Sequence, residues 1–238
     1  MKVEALFISD IHLGSKGSNA KELLSILKEY EPEKLFIVGD FIDGWLLKSR
    51  HYWKQDFTDV IRKILSMSKK STEVIYITGN HDDFLREYTP TDFGDSIKIV
   101  DEYVWNNYYI THGDLYDGVV QMKWLGVLGS WGYEVAIAID RFLKKIGNKK
   151  SLSKWIKYKV KNAVKFITSF EKQLVYQAQK NGCIGVICGH IHTPEIKSYN
   201  DITYINCGDW IENNSYIVYS KSKFKLKYYK NGKGNFKI

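Results

Sequence analysis

Five times along this chain a short apolar run stops at a cluster of Asp, His, Asn and Gly, and this repetition restricts the fold more than any other feature. Phe7-Ile8 leads into Ser9-Asp10-Ile11-His12, and Leu35 to Val38 leads into Gly39-Asp40-Phe41-Ile42-Asp43. Val74 to Thr78 leads into Gly79-Asn80-His81-Asp82, Tyr108 to Thr111 into His112-Gly113-Asp114, and Val186 to Cys188 into Gly189-His190-Ile191-His192. Runs this short and apolar read as buried strands. In open sheets, ligands gather in the crevice beyond the carboxyl ends of the strands. A fold that collects these five ends builds one polar crevice, with Asp40 its expected centre.

Between the runs the pattern alternates. Val3 to Ile8 reads as the first strand. Ala20 to Tyr30, with Leu23, Leu24 and Leu27 on one face, reads as an amphipathic helix stopped by Pro32. Leu35 to Val38 is the second strand, Phe57 to Met67 the second helix and Val74 to Thr78 the third strand, an order that argues for a layered α/β domain. Lys98 to Thr111 and Thr203 to Tyr229 are rich in Tyr, Val and Ile and read as antiparallel strands with one wet face, followed by a turn at Lys230 to Gly234. Two sheets with helices outside fit this order better than one doubly wound sheet. Between His112 and Gly182, Trp155, Ile156, Val160, Ala163, Val164, Ile167, Phe170 and Leu174 recur at helical spacing. The chain therefore reads as one α/β (α+β) domain over 1–238, with a helical cap insertion at about 119–182.

The net charge of +8 and pI near 9.1 favour acidic partners: phosphates, nucleic acid or an anionic membrane surface. Three cysteines without framework spacing suit a reducing cytosol, and Cys188, ending an apolar run, reads as packed core. No leader is read ahead of Val3. The most apolar stretch, Trp124 to Ile139, is broken by glycines and Glu134 and falls short of a membrane span. The expectation is a cytoplasmic protein able to touch the inner membrane surface peripherally, with no obligate protein partner.

Of the six histidines, only His51 lies outside the strand-end motifs; His12, His81, His112, His190 and His192 lie within them. Imidazole, carboxylate and amide oxygen together suit a divalent ion such as Mn²⁺, Fe²⁺ or Zn²⁺. The set holds no cysteine, which argues against a structural zinc site. Asp10 and His12 are two apart, as are His190 and His192, so each pair shares one side of an extended segment. Asp10, His12, Asp40, Asn80, His112, His190 and His192 are too many ligands for one open ion. They suit two ions sharing a bridging carboxylate, for which Asp40 is the candidate. Two ions ~3.5–4 Å apart can hold a hydroxide between them and clamp phosphoryl oxygens during in-line displacement.

These five motifs, in this order and from end to end of the chain, resemble the signature of the calcineurin-like metallophosphoesterases. The resemblance implies a four-layer β-sandwich flanked by helices and a dimetal centre. By motif it gives Asp10, His12, Asp40 and His192 to one ion, and Asp40, Asn80, His112 and His190 to the other. It further implies that His81 serves the leaving oxygen or the phosphoryl charge without binding metal, oriented by Asp43. On its own, Asp43 also reads as an N-cap or turn carboxylate, and Asp82 and Asp114 read equally as supporting or plain turn residues.

Gly44-Trp45, Asp83-Phe84 and a helical insert ending in a Lys-rich segment are similar to one branch of that family, the UDP-2,3-diacylglucosamine hydrolases. That branch implies hydrolysis of a phosphoanhydride, converting UDP-2,3-diacylglucosamine to lipid X and UMP in lipid A assembly. It makes Asn80, Asp117 and His190 candidate substrate contacts. Its third motif reads Gly-Asn-Arg-Asp, whereas this chain has His81, which leaves open a phosphodiesterase or phosphatase acting on nucleotides, nucleic acid or another phosphorylated substrate. A non-catalytic metal-binding scaffold is disfavoured by the complete motifs. Lys154, Lys157, Lys161, Lys165 and Lys172 lie along one helical face near Trp124, Trp131 and Trp155. Such a basic, aromatic cap suits an anionic glycolipid, and equally a polynucleotide.

Overall fold

A computed structural model of the chain describes residues 1–117 and 166–229. The chain divides into two units, Met1–Gly113 with Val175–Ile238, and Asp114–Leu174. In the first unit, β1 (Lys2–Ile8), α1 (Ala20–Glu29), β2 (Glu31–Val38), α2 (Gly44–Arg50), α3 (Gln55–Ser68) and β3 (Glu73–Ile77) follow one another. β4 (Thr91–Asp92), β5 (Ile97–Val100), β6 (Glu102–Trp105) and β7 (Tyr108–Thr111) complete the N-terminal part. After the second unit come β8 (Gly185–Cys188), β9 (Glu195–Tyr199), β10 (Ile202–Asn206), β11 (Ser215–Ser220) and β12 (Lys223–Tyr228).

The strands form two sheets, in the orders β12-β11-β1-β2-β3-β5-β4 and β6-β7-β8-β10-β9. β1, β2 and β3 run parallel in the first, and β7, β8 and β10 run parallel in the second. The period-2 alternation of each strand sends its residues to two different cores. Ala5, Phe7, Phe36, Val38, Ile75 and Ile77 meet Ile110, Ile187 and Ile205 between the sheets, where Phe7 and Phe36 stack with centroids 4.6 Å apart. Leu6, Ile8, Leu35, Ile37 and Val74 face the other way, against Leu23, Ile26 and Leu27 of α1 and Phe57, Val60 and Ile64 of α3. Burial of each such side chain stabilises the fold by ~1.5–3 kcal/mol. The result is the two-sheet, helix-flanked architecture that the strand and helix order implies.

Local departures have local causes. α1 stops ahead of Pro32, as expected, but the proline itself lies in a strand. The helix ends at Glu29, and Pro32 lies inside β2 opposite Val3, ahead of Lys34 where β3 joins, so its missing N–H removes no bond on that side. β5 runs parallel to β3 because the long connection through Asp82 turns the chain back, whereas β6 and β7 form the expected antiparallel hairpin. Asn106 and Asn107 hold its two-residue turn, both at positive φ. In the second unit, the described residues form a 3-10 turn at Asp114–Tyr116 and the first part of a helix over 166–180. Ile167, Phe170, Leu174 and the exposed Lys172 lie on that helix. The other insert positions singled out above, from Trp124 to Lys165, lie outside the described residues, as does the turn at Lys230 to Gly234.

Candidate metal centre

The carboxyl ends of β1, β2 and β3 and of β7 and β8 carry all five motifs. Asp10, His12, Asp40, His190 and His192 all have φ between 50° and 71°, in the left-handed region. Each such residue costs about 1–3 kcal/mol and persists only where its surroundings over-determine it. Here adjacent loops are tied to each other. Asp10 N donates to Gly39 O (3.1 Å), His12 N to Asp40 O (2.9 Å), Leu13 N to Phe41 O (2.8 Å) and Trp210 N to Asp10 O (3.0 Å). Two motif glycines are required by close approach. A Cβ on Gly79 would lie 2.2 Å from Asp40 Oδ1, and one on Gly189 would lie 2.4 Å from Asp10 Oδ2.

The side chains converge. Asp40 Oδ2 lies 3.3 Å from His112 Nε2 and 3.8 Å from His12 Nε2, while Asp10 Oδ1 lies 3.1 Å from His192 Nε2 and 3.9 Å from His12 Nε2. The second oxygens are occupied by backbone. Asp40 Oδ1 accepts from His81 N (2.8 Å) and Asp10 Oδ2 accepts from His190 N (3.0 Å). His112 Nδ1 is 2.9 Å from Val38 O, which keeps the proton on Nδ1 and turns the Nε2 lone pair toward Asp40. The His190 ring stands edge-on to His112, with centroids 5.2 Å apart.

Among the described residues, three groups bring ligand atoms within 4.8 Å of one another: Asp10, His12 and His192; Asp10, Asp40 and His112; and His12, Asp43 and His81. The first two are consistent with a pair of neighbouring cation sites, and Asp10 enters both. The third gathers two imidazoles around one carboxylate. Asp43 Oδ2 lies 3.3 Å from His12 Nδ1 and Asp43 Oδ1 lies 3.2 Å from His81 Nδ1. Asp43 Oδ1 also accepts from Leu46 N (2.9 Å), so the N-cap reading of this carboxylate holds.

The donor set fits a metal. Among the described residues, His12 Nε2 and Asn80 Oδ1 are buried with no hydrogen-bond partner, an expensive state unless a cation takes their lone pairs. Burial alone would raise the Asp40 carboxyl, but His112, His12 and His81 outweigh it and hold it well below the usual carboxylate range. Burial likewise pushes His192 down, while Asp10 first, then Asp209 and Asp40, lift it to about 9. His81 is raised, Asp43 and Asp40 outweighing its burial. The buried carboxylates therefore favour positive charge beside them.

Other groups brace this set. Buried Asp82 accepts from Phe41 N (2.8 Å), Tyr76 Oη (2.5 Å) and Gly79 N, pinning the Asp40 loop to the Asn80 loop. Burial and the charge on Asp40 push its carboxyl up to about 6. Sequence reasoning passed over a sixth strand end, Asn206-Cys207-Gly208-Asp209 after β10. Asn206 Nδ2 donates to Gly189 O (2.8 Å), and Asn206 Oδ1 accepts from Gly208 N (2.8 Å). Asp209 Oδ1 accepts from Ile211 N (2.8 Å), and Asn213 Nδ2 donates to His192 O (2.9 Å). The run Thr203-Tyr204-Ile205 ending in Asn-Cys-Gly-Asp was the signal. Asp114 and Asp117 belong to the second unit, and His51 is an exposed C-cap of α2 in left-handed geometry.

Two facing sheets with a buried Asp–His–Asn crevice at the ends of their parallel strands define a metal-dependent phosphoester hydrolase. The calcineurin-like phosphoesterase family model matches residues 4–194, and the chain belongs to that family, which implies a divalent dimetal centre. Among individual proteins, it is similar to the UDP-2,3-diacylglucosamine hydrolase of Porphyromonas gingivalis, at 23% identity over 95% of this chain and 97% of that protein. It is similar to those of Histophilus somni (26%; 94% and 99%) and Neisseria meningitidis serogroup B (27%; 87% and 89%). Among the described residues, no helix is long and apolar enough to cross a membrane.

Proposed function

We propose that the chain hydrolyses the phosphoanhydride of a UDP-linked acylated glucosamine, adding water to phosphorus and releasing UMP and a lipid phosphate. The observation that carries the chemistry is the buried crevice in which Asp40 Oδ2 lies between His12 and His112. Asp10, His12, Asp40 and His192 hold one divalent ion; Asp40, Asn80, His112 and His190 hold the other, with Mn²⁺ the first choice. When bound, the ions neutralise the phosphoryl oxygens and lower the pKa of the attacking water. His81, raised toward protonation and held at Nδ1 by Asp43, offers Nε2 as the proton donor to the leaving oxygen.

The activity for which the relatives are named supports the substrate, and so does the insert, proposed as a cap at about 119–182 whose tryptophans and lysines suit acyl chains and phosphates. Asn80, Asp117 and His190 are the proposed substrate contacts. On this reading the protein works in the cytoplasm, peripherally at the membrane surface. The test is kcat/KM across UDP-sugars with long, short and no acyl chains. Each methylene removed weakens transition-state binding by up to ~0.8 kcal/mol if the chains enter an apolar groove. Equal cleavage of the unacylated sugar or of an oligonucleotide overturns the glycolipid reading and assigns the cap to nucleotides or nucleic acid.

A further inference from the structure

His81 sits in a loop, so no regular secondary structure fixes it. Its backbone is nonetheless tied on both sides: His81 N donates to Asp40 Oδ1 (2.8 Å) and His81 O accepts from Gly44 N (2.9 Å). Its Nδ1 faces Asp43, and His12 meets its ring edge-on with centroids 4.5 Å apart. These contacts lie at one nitrogen and at the ring's edge, and the indole of Trp45 lies against the ring from another side. Its centroid lies 4.3 Å from that of His81, with the planes 34° apart.

Among the described residues, no core packing accounts for the position of Trp45. It is 49% exposed and belongs to neither hydrophobic core. It stands two residues after Asp43, in the first turn of α2, so one helical turn supplies both the carboxylate near Nδ1 and the indole beside the ring. Gly44 between them allows the approach, since a Cβ there would lie 2.9 Å from His81 O. Stacked aromatic contacts are directional, and a catalytic group displaced by ~1 Å can cost 10²-fold in rate. We propose that Trp45 is a positioning residue of the reaction, holding the His81 imidazole by one face so that Nε2 stays directed at the leaving oxygen. This inference rests on the reading of His81 as the group that serves that oxygen.

The test is a double-mutant cycle on the full chain with Mn²⁺, using phenyl and p-nitrophenyl phosphodiesters. Trp45→Ala is expected to lower kcat roughly tenfold on the phenyl ester, where the leaving oxygen needs a proton, with KM little changed. The p-nitrophenyl ester, whose leaving group needs none, loses far less. Trp45→Phe, which keeps a ring against His81, restores most of the rate. In a His81→Ala background, Trp45→Ala adds no further loss. A loss confined to KM, an equal loss on both esters, or full additivity in the double variant overturns the role of Trp45. Wild-type turnover of His81→Ala on the phenyl ester instead overturns the reading of His81 itself, and with it the need for a positioning residue.

Discussion

Gly79→Ala probes the centre without replacing a proposed ligand. The new Cβ would lie 2.2 Å from Asp40 Oδ1, 2.5 Å from Asp40 N and 2.9 Å from Asp40 Cγ. Ordinary van der Waals contact begins near 3.4 Å, so about 1.2 Å of separation must be created. Neither partner yields easily. Asp40 Oδ1 is held by His81 N, Gly79 N is held by Asp82, and the Asp40 backbone already sits at positive φ. Overpacking of this kind costs ~1–3 kcal/mol of stability, within the ~5–15 kcal/mol typical of a folded domain. The functional cost is larger, because the displaced group is the proposed bridging ligand, and a ~1 Å misplacement can cost 10²-fold in rate. The assay combines urea unfolding, Mn²⁺ titration by calorimetry and turnover at saturating metal. The expected variant is folded, modestly destabilised, weaker for Mn²⁺ and about 10²-fold slower. A variant with two ions bound at wild-type affinity and undiminished turnover would refute both the packing argument and the place of Asp40 in the centre.

His81→Ala is expected to keep its metal content while turnover falls roughly 10²–10⁴-fold, the range for a lost acid–base group. His51→Ala, at an exposed C-cap outside the crevice, is expected to change neither, and elemental analysis beside kinetics separates the two. Glu73 provides a pH test away from the centre. It is ion-paired with Lys34 and, at 3.5 Å, with Lys98, and the Lys34 contact, outweighing partial burial, holds its carboxyl below 4.5. Because its folded pKa is depressed, its stabilisation is present above about 4.5 and is lost as pH falls through the folded value. The pair is partly exposed, so Glu73→Gln is expected to cost no more than ~1 kcal/mol at pH 7. In urea melts that difference should disappear once pH has fallen below the folded value; a difference that persists in acid would show a packing effect instead.

The strand ends were legible because each is written locally: an apolar run, then a Gly, Asp, Asn or His that must leave the sheet. What the sequence hid was whatever depended on a second segment arriving from elsewhere. β9, Glu-Ile-Lys-Ser-Tyr, has no apolar run and becomes an edge strand only by pairing with β10. The seven residues of α2 are too few for a helical period, and their start signal, Asp43, is also the carboxylate that faces His12 and His81. The substitution of His for Arg after Asn80 was visible as a departure, but its consequences were not. An imidazole at that position has a nitrogen for Asp43 to hold and a flat face for Trp45 to cover, and both partners come from one turn of a helix 36 residues or more earlier in the chain. The loop of the third motif and the cap of α2 therefore act as one unit. A change in either should alter the reaction without removing a metal ligand, which is the distinction that kinetics set beside metal content can measure.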